Sequence, residues 1–192
     1  MASYKTISST VSGKYIEKGS RFIAYAKHVL NEKEALEFIE SVRKEHHKAR
    51  HVCYAYTVGT MNEKHRVNDD GEPSNTAGQP ILSQIRKNDL KYIVVSVVRY
   101  FGGVLLGKGG LIHAYGTAVS EAFLASQIIT KSEHVSSEIS FHISHYTEVI
   151  ETIKKNKLSV LAEVFEGETC RIQYQTEPEL VEKYAEILNQ YK

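Results

Sequence analysis

The sequence predicts an α+β fold class with two domains, and three observations indicate it. Residues 92–98 form an almost unbroken apolar run rich in β-branched residues, as in a strand that is buried on both faces. A glycine-rich turn follows, and from Leu111 the apolar residues recur at helical spacing. Nearer the carboxyl end, the predicted order strand, helix, strand, strand, helix matches a small split βαβ sandwich that lacks its final strand.

The first predicted domain, residues 1–132, is built around that apolar strand. Asn31 followed by Glu34 has the spacing of a capping box and predicts the start of the first helix. Residues 61–79 are charged and contain glycine and proline, so we expect a long loop there. The remaining elements are predicted as strands at 6–14, 21–29, 52–58 and 92–98, and helices at 31–45, 80–87 and 110–127.

The second predicted domain, residues 137–192, follows a polar connection at 132–137. Alternating apolar residues predict a strand at 138–144, and a short turn at 166–168 predicts a hairpin. The other elements are predicted as a helix at 147–155, strands at 159–165 and 170–175, and a helix at 178–191.

Charge divides unevenly between these domains. Residues 1–132 carry 18 Lys and Arg against 12 Asp and Glu, a net charge of +6, whereas the remainder carries 6 against 11, a net charge of −5. An anionic partner would therefore favour the first domain. Neither half is basic enough to be assigned to nucleic-acid binding on charge alone.

Composition is that of an ordinary globular protein, with 42% hydrophobic and 24% charged residues. The two cysteines, Cys53 and Cys170, show no CxxC spacing, which favours buried thiols in a reducing compartment over a disulfide. The amino terminus lacks an apolar signal core, and no run approaches the roughly 18 apolar residues of a membrane span. We therefore expect a cytoplasmic protein without a membrane partner.

An acidic loop, Asp69-Asp70-Gly71-Glu72, places three carboxylates within four positions. Such a cluster could bind a divalent metal or supply a general base. Alternatively, the aspartates shape the turn while one carboxylate neutralises a buried arginine. We favour the second interpretation and expect Arg99, at the end of the apolar strand, to pair with Asp69, Asp70 or Glu72.

The glycine-rich turn after the strand admits two interpretations. Successive backbone amides ahead of a helix can hold a phosphate, with Lys108 adding a charge. The glycines could instead serve close backbone packing or a positive φ. The spacing is neither the Walker motif nor the dinucleotide fingerprint, so both interpretations stay open. The glycines of this turn are Gly102, Gly103, Gly107, Gly109 and Gly110.

Basic residues form two clusters, one at Arg43, Lys44, Lys48 and Arg50, the other at Arg86, Lys87 and Lys91. Arg99 and Lys108 would extend the second cluster across the glycine turn. Tyr100, Phe101 and Tyr115 lie nearby in the sequence, and this composition is used to bind single-stranded nucleic acid. A solvated surface is the alternative. His46, His47 and His51 favour hydrogen-bonded structural roles over a metal site, and no catalytic order of residues emerges.

These motifs resemble the IMPACT/YigZ family. The matching pieces are residues 19–22, His51, residues 69–82 and residues 97–116, and they contain the motif residues Arg21, Asp69, Asp70, Glu72, Tyr100 and Tyr115. The resemblance implies a first domain with the ribosomal protein S-five domain-two-like fold. It also implies a ferredoxin-like second domain similar to the fifth domain of elongation factor G. His113 and Arg50 depart from the family pattern, which usually has Arg and a small hydroxyl residue there.

The resemblance also implies a role in translation, because eukaryotic relatives regulate translation and bacterial ones are thought to bind nucleic acid or the translation apparatus. We therefore expect a translation-linked regulatory protein, not an enzyme, that binds RNA or a ribosome-associated partner through its basic first domain around Arg86, Lys87, Arg99 and Lys108. The alternatives are an enzyme acting on a phosphorylated small molecule at the acidic loop and glycine turn, and a protein-binding adaptor. The sequence predicts no cofactor and leaves the oligomeric state open.

Overall fold

The computed structural model describes residues 3–60 and 63–191. The chain forms two compact units, one spanning Tyr4–Lys131 and the other containing the residues from Ser132 onward. Both units mix helices with antiparallel sheet, so the predicted two-domain α+β class is confirmed. Among the described residues, no helix is both long and apolar enough to cross a membrane.

The amino-terminal unit contains a five-stranded antiparallel sheet in the order β2-β3-β6-β4-β5. A separate two-stranded sheet pairs β1 with β7. The strands are β1 Ser3–Ile7, β2 Val11–Glu17, β3 Ser20–His28, β4 His51–Val58, β5 Lys64–Asn68, β6 Ile93–Tyr100 and β7 Ile128–Ser132. The helices are α1 Glu32–Glu45, α2 Gly78–Lys87 and α3 Gly107–Leu124.

Strand β6 is central and buried on both faces, as its apolar run predicts. Val95 and Val97 pack in the core that contains α2 and α3, whereas Val94 and Val98 pack in the cores that contain α1. Each fully buried valine contributes roughly 1.5–3 kcal/mol of hydrophobic stabilisation. Because side chains alternate along a strand, Arg99 lies on the same face as Val97 and is directed towards α3.

The predicted cap of α1 is confirmed. The Asn31 side chain accepts a hydrogen bond from the Glu34 amide at 2.9 Å. The Glu34 carboxylate in turn accepts from the Leu30 amide at 2.9 Å. The start of the helix thus has the reciprocal bonding that its sequence indicates.

Two predictions for this unit are wrong. The single strand at 6–14 is interrupted, because the Ser8 amide donates to the Gln127 carbonyl at 3.0 Å and β2 then joins a different sheet. The predicted loop at 61–79 contains β5, although Met61 and Asn62 lie outside the described residues. Strand β5 is polar because it pairs only with β4 at the sheet edge, so it gives no alternating apolar signal.

The carboxyl-terminal unit has the predicted element order. Its three-stranded antiparallel sheet runs β8-β10-β9, and its core contains Ile139, Phe141, Ile172 and Tyr174 from the sheet. Strand β8 begins inside the predicted polar connection because residues 135–137 pair with β10. The elements are β8 Val135–His142, α4 Tyr146–Lys155, β9 Ser159–Glu166, β10 Thr169–Thr176 and α5 Val181–Asn189, with short 3-10 turns at Ile143–His145 and Pro178–Leu180.

Candidate functional site

A cavity of about 400 Å³ lies in the amino-terminal unit between the acidic loop and the start of α3. The pairing of β4 with β6 sets His51 opposite Arg99, so the loop and the glycine turn meet at this end of the sheet. The cavity, named here the loop–turn cavity, is lined by Arg50, His51, Gly71, Glu72, Pro73, Arg99, Phe101, Leu105, Leu106, Gly107, Lys108 and Leu111.

A buried ion pair forms one wall of the loop–turn cavity. Arg99 is only 6% exposed, and its Nη1 donates to both carboxylate oxygens of Glu72, at 2.7 and 2.9 Å. The predicted pairing of Arg99 with the acidic loop is therefore confirmed. The guanidinium also lies 5.5 Å from the Phe22 ring centre and 5.6 Å from that of Phe101. Both aromatic rings attract the guanidinium through cation–π interactions, which help to fix its position.

Tyr115 ties the ion pair to α3. Its hydroxyl donates to Glu72 Oε1 at 2.8 Å, and it is also 3.3 Å from the Cys53 sulfur. Burial, together with the neighbouring Cys53 and Glu72, raises the pKa of the Tyr115 hydroxyl well above its ordinary value. The hydroxyl therefore stays neutral and remains a donor to the carboxylate.

The two aspartates of the acidic loop have structural partners. Asp69 accepts hydrogen bonds from the amides of residues 75, 77 and 78 at 2.8–2.9 Å. Its carboxylate thereby provides acceptors for backbone amides at the start of α2. Asp70 accepts from the Val52 amide at 2.8 Å and pairs with Arg43 at 3.2 Å. The metal or general-base interpretation of the loop gains no support here, because each carboxylate is occupied by an amide or a guanidinium.

His51 and Cys53 form hydrogen bonds with backbone carbonyls of the acidic loop. His51 Nδ1 lies 2.7 Å from the Asp70 carbonyl, and its Nε2 lies 3.9 Å from Glu72 Oε1. The Cys53 thiol donates to the Asp69 carbonyl at 3.0 Å. Burial raises the pKa of that thiol above its usual range, so it is an unreactive packing group. His46 bonds to the Tyr25 and Tyr100 hydroxyls, in the structural role expected.

The glycines of the turn have different roles. A side chain on Gly102 would lie 2.0 Å from the backbone of Gly19, and the Gly102 amide donates to Ser20 Oγ at 3.1 Å. Close backbone packing therefore accounts for Gly102, while Gly103 has a φ of +88°. Gly109 and Gly110 lie in the first turn of α3 and do not line the loop–turn cavity, whereas Gly107 and Lys108 do.

Residues 18–123 match the family model described as the Impact N-terminal domain. That match covers more than half of the chain. The chain belongs to the IMPACT family. It is 34% identical over 169 residues to an IMPACT family member of Haemophilus influenzae, covering 87% of this chain and 82% of that protein.

Other relatives agree with this assignment. IMPACT family member YvyE of Bacillus subtilis is 46% identical over 119 residues, which is 62% of this chain and 55% of that protein. The chain thus spans about half the length of several curated IMPACT relatives that it matches. A crystal structure described as that of a hypothetical protein is 28% identical, with a TM-score of 0.77 over 100% of this chain and 94% of that one.

The second predicted basic cluster, Arg86, Lys87 and Lys91, does not line the loop–turn cavity. Arg86 and Lys87 lie at the end of α2, and Lys91 lies just before β6, where it pairs with Glu63. Arg99 lies at the other end of β6, an eight-residue strand that spans about 26 Å. Lys91 and Arg99, which are close in the sequence, are therefore separated by about the length of the central strand, and Lys108 lines the loop–turn cavity with Arg99 rather than with the second basic cluster.

The structure instead brings part of the first basic cluster to the loop–turn cavity. Arg50, directly before β4, lines the cavity with Lys108. The guanidinium of Arg21 lies 5.0 Å from the Tyr100 ring centre, next to the same strand end. Arg50 was not among the site residues predicted from the sequence. The available signals were its place in the first basic cluster and its neighbour His51, which the family motif includes.

Proposed function

We propose that this protein is a translation-linked regulator whose amino-terminal domain binds RNA at the end of the sheet that holds the loop–turn cavity. Membership in the IMPACT family supports the link to translation, which is the role that the resemblance implies. The RNA-binding surface, named here the basic end, consists of Lys18, Arg21, Lys48, Arg50, Tyr100, Phe101 and Lys108.

The observation that carries the proposal is the state of the charges at the basic end. The carboxylates of Asp70 and Glu72 are paired with Arg43 and Arg99. Among the residues that the structure describes, the side chains of Arg50 and Lys108 have neither an ion-pair nor a hydrogen-bond partner. Exposed cations whose neighbouring acids are already neutralised attract a polyanion such as the phosphate backbone.

Aromatic side chains accompany these cations. The Phe101 side chain is 47% exposed beside the loop–turn cavity, and Tyr100 carries the Arg21 guanidinium against its ring. Bases of single-stranded RNA stack on such rings, while lysine and arginine follow the backbone. The basic end therefore supplies both contacts that a single-stranded nucleic acid requires.

Fluorescence anisotropy with a labelled single-stranded RNA tests the proposal. We expect binding that weakens steeply as salt is raised. Replacing Arg50 and Lys108 by Gln should lower the slope of log K against log salt by about 1.4, at about 0.7 for each lost phosphate contact on a single strand. The matched control, Arg86→Gln with Lys87→Gln, removes the same charge at the end of α2 and should leave the slope unchanged.

Two outcomes contradict the proposal. The first is an equal loss of affinity in both double variants, because the cations of the basic end would then have no special role. The second is co-sedimentation with ribosomes without any binding to free RNA at low salt. That result would assign the domain to a ribosome-associated protein partner.

A further inference from the structure

We propose that the loop–turn cavity binds the phosphomonoester of a nucleotide, carried either by the terminal nucleotide of an RNA strand or by a free mononucleotide. For the RNA source, this inference rests on the proposed RNA-binding function. It adds that the domain recognises a strand end rather than only the repeating phosphodiester backbone.

The charge of the lining fits this ligand. Three cations, Arg50, Arg99 and Lys108, line the cavity with one carboxylate, Glu72, so the formal charge of these four side chains is +2. A phosphomonoester carries about −1.5 to −2 at neutral pH. An internal phosphodiester carries one negative charge and neutralises only half of the lining.

The start of α3 supplies amide donors. The helix is 18 residues long, and its cap residue Leu106 provides no side-chain hydrogen bond. The first-turn residues Gly107 and Lys108 form part of the cavity wall. The amides of the first turn and the positive end of the helix dipole favour an anion at this position.

A second, independent observation points to a ligand. Arg99 Nε is buried and has no hydrogen-bond partner in the part of the chain that the structure describes, although Nη1 of the same side chain is paired with Glu72. Buried donors nearly always have an acceptor, and an unpaired one is costly. Arg99 lines the cavity, so this unpaired N–H belongs to a residue of the wall of the proposed anion site.

The apolar lining and the size of the cavity fit the rest of a nucleotide. Phe101, Leu105, Leu106 and Leu111 provide an apolar surface beside the cations. A base or sugar packs against such a surface, and an exposed phenylalanine ring is a stacking partner for any base. A volume of about 400 Å³ lies at the small end of the range for ligand pockets and suits one nucleotide rather than several.

The test compares short RNAs of one sequence that end in a 5′-phosphate, a 3′-phosphate or hydroxyl groups. We expect the wild-type domain in the full chain to bind one phosphorylated form at least about tenfold more tightly than the hydroxyl form, because charge-assisted hydrogen bonds are gained. Lys108→Gln and Phe101→Ala, both at exposed positions, should reduce this ratio towards one. Lys48→Gln, which removes a cation of the basic end outside the cavity, should weaken all forms alike.

Competition with uridine monophosphate separates the two sources. If the free nucleotide displaces the phosphorylated RNA from the wild type but not from Lys108→Gln, the ligand is a mononucleotide. If the cavity binds the phosphorylated RNA but not the free nucleotide, the ligand is a strand end. A ratio near one in the wild type, with RNA still bound, overturns this inference but leaves the proposed function standing. The inference is also overturned if Lys48→Gln lowers the ratio of affinities for phosphorylated and hydroxyl-ended RNA as much as Lys108→Gln does. A failure of hydroxyl-ended RNA to bind would instead contradict the proposed function.

Discussion

Glu72→Gln should strongly destabilise the amino-terminal unit while hardly changing its shape. The substitution is nearly isosteric and allows Tyr115 to keep a hydrogen bond to the side-chain oxygen at position 72. It removes the negative charge that neutralises Arg99, whose side chain is 7% exposed, as against 3% for Glu72. Breaking a buried pair from one side costs about 3–5 kcal/mol, because the remaining charge is buried without compensation.

The assay is urea unfolding of the full chain, followed by a probe in the amino-terminal unit. The matched control is Glu37→Gln, which makes the same change in an exposed pair with Lys33 at 4.0 Å. That pair should contribute about 0.3–0.5 kcal/mol. We expect the two variants to differ by at least about 2.5 kcal/mol, a large part of the 5–15 kcal/mol that stabilises a typical domain.

A double variant keeps the test decisive if Glu72→Gln does not fold. Replacing Arg99 by Met together with Glu72→Gln removes both charges, and the Met side chain would lie near the rings of Phe22 and Phe101. The double variant should therefore recover most of the lost free energy of unfolding. Equal stability of Glu72→Gln and Glu37→Gln, or no recovery in the double variant, would show that the Arg99–Glu72 pair does not determine the stability of this unit.

Three further predictions concern groups outside the ion pair. Gly109→Ala should raise the free energy of unfolding by about 0.5–1 kcal/mol in urea, because Gly109 is helical and a side chain there meets no atom within 4 Å; a loss of stability would contradict this. Burial raises the pKa of the Cys53 thiol. A thiol reagent at mildly alkaline pH should therefore label Cys53 only after unfolding. Rapid labelling of Cys53 in the native protein would contradict this. Burial, with a contribution from Lys131, lowers the pKa of His28 below 6.5. Because the unfolded chain then takes up a proton first as pH falls, stability should decrease below about pH 6.5, and His28→Gln should make this decrease smaller in unfolding experiments at graded pH.

Periodicity predicted the elements that bury a regular apolar face. The central strand, the capped first helix and the carboxyl-terminal order all follow from apolar spacing, and the structure contains each of them. Strand β5 was missed because an edge strand with exposed side chains buries little and leaves no alternation in the sequence. The interruption of the first predicted strand depends on a bond to Gln127, and local sequence carries no sign of a contact that distant.

The candidate site was predicted only in part, because local features can be predicted from the sequence whereas contacts that depend on topology cannot. Pairing of Arg99 with the acidic loop follows from the cost of a buried charge, which is a local argument that needs no topology. The extent of the basic surface depends on strand direction. Antiparallel pairing sets position 51 beside position 99 and brings Arg50 to the cavity, whereas Lys91 lies near the opposite end of β6. The spacing of charges in the sequence predicts neither position.

An NMR titration with a terminally phosphorylated single-stranded RNA, following the backbone amides and the arginine Nε–H signals, locates the binding surface. We expect the Arg99 Nε–H signal to shift on binding, together with the amides of Phe101, Gly107 and Lys108, because these residues line the loop–turn cavity. Shifts confined to Arg86 and Lys87, at the carboxyl end of α2, with the Arg99 signal unchanged, would contradict binding at this cavity.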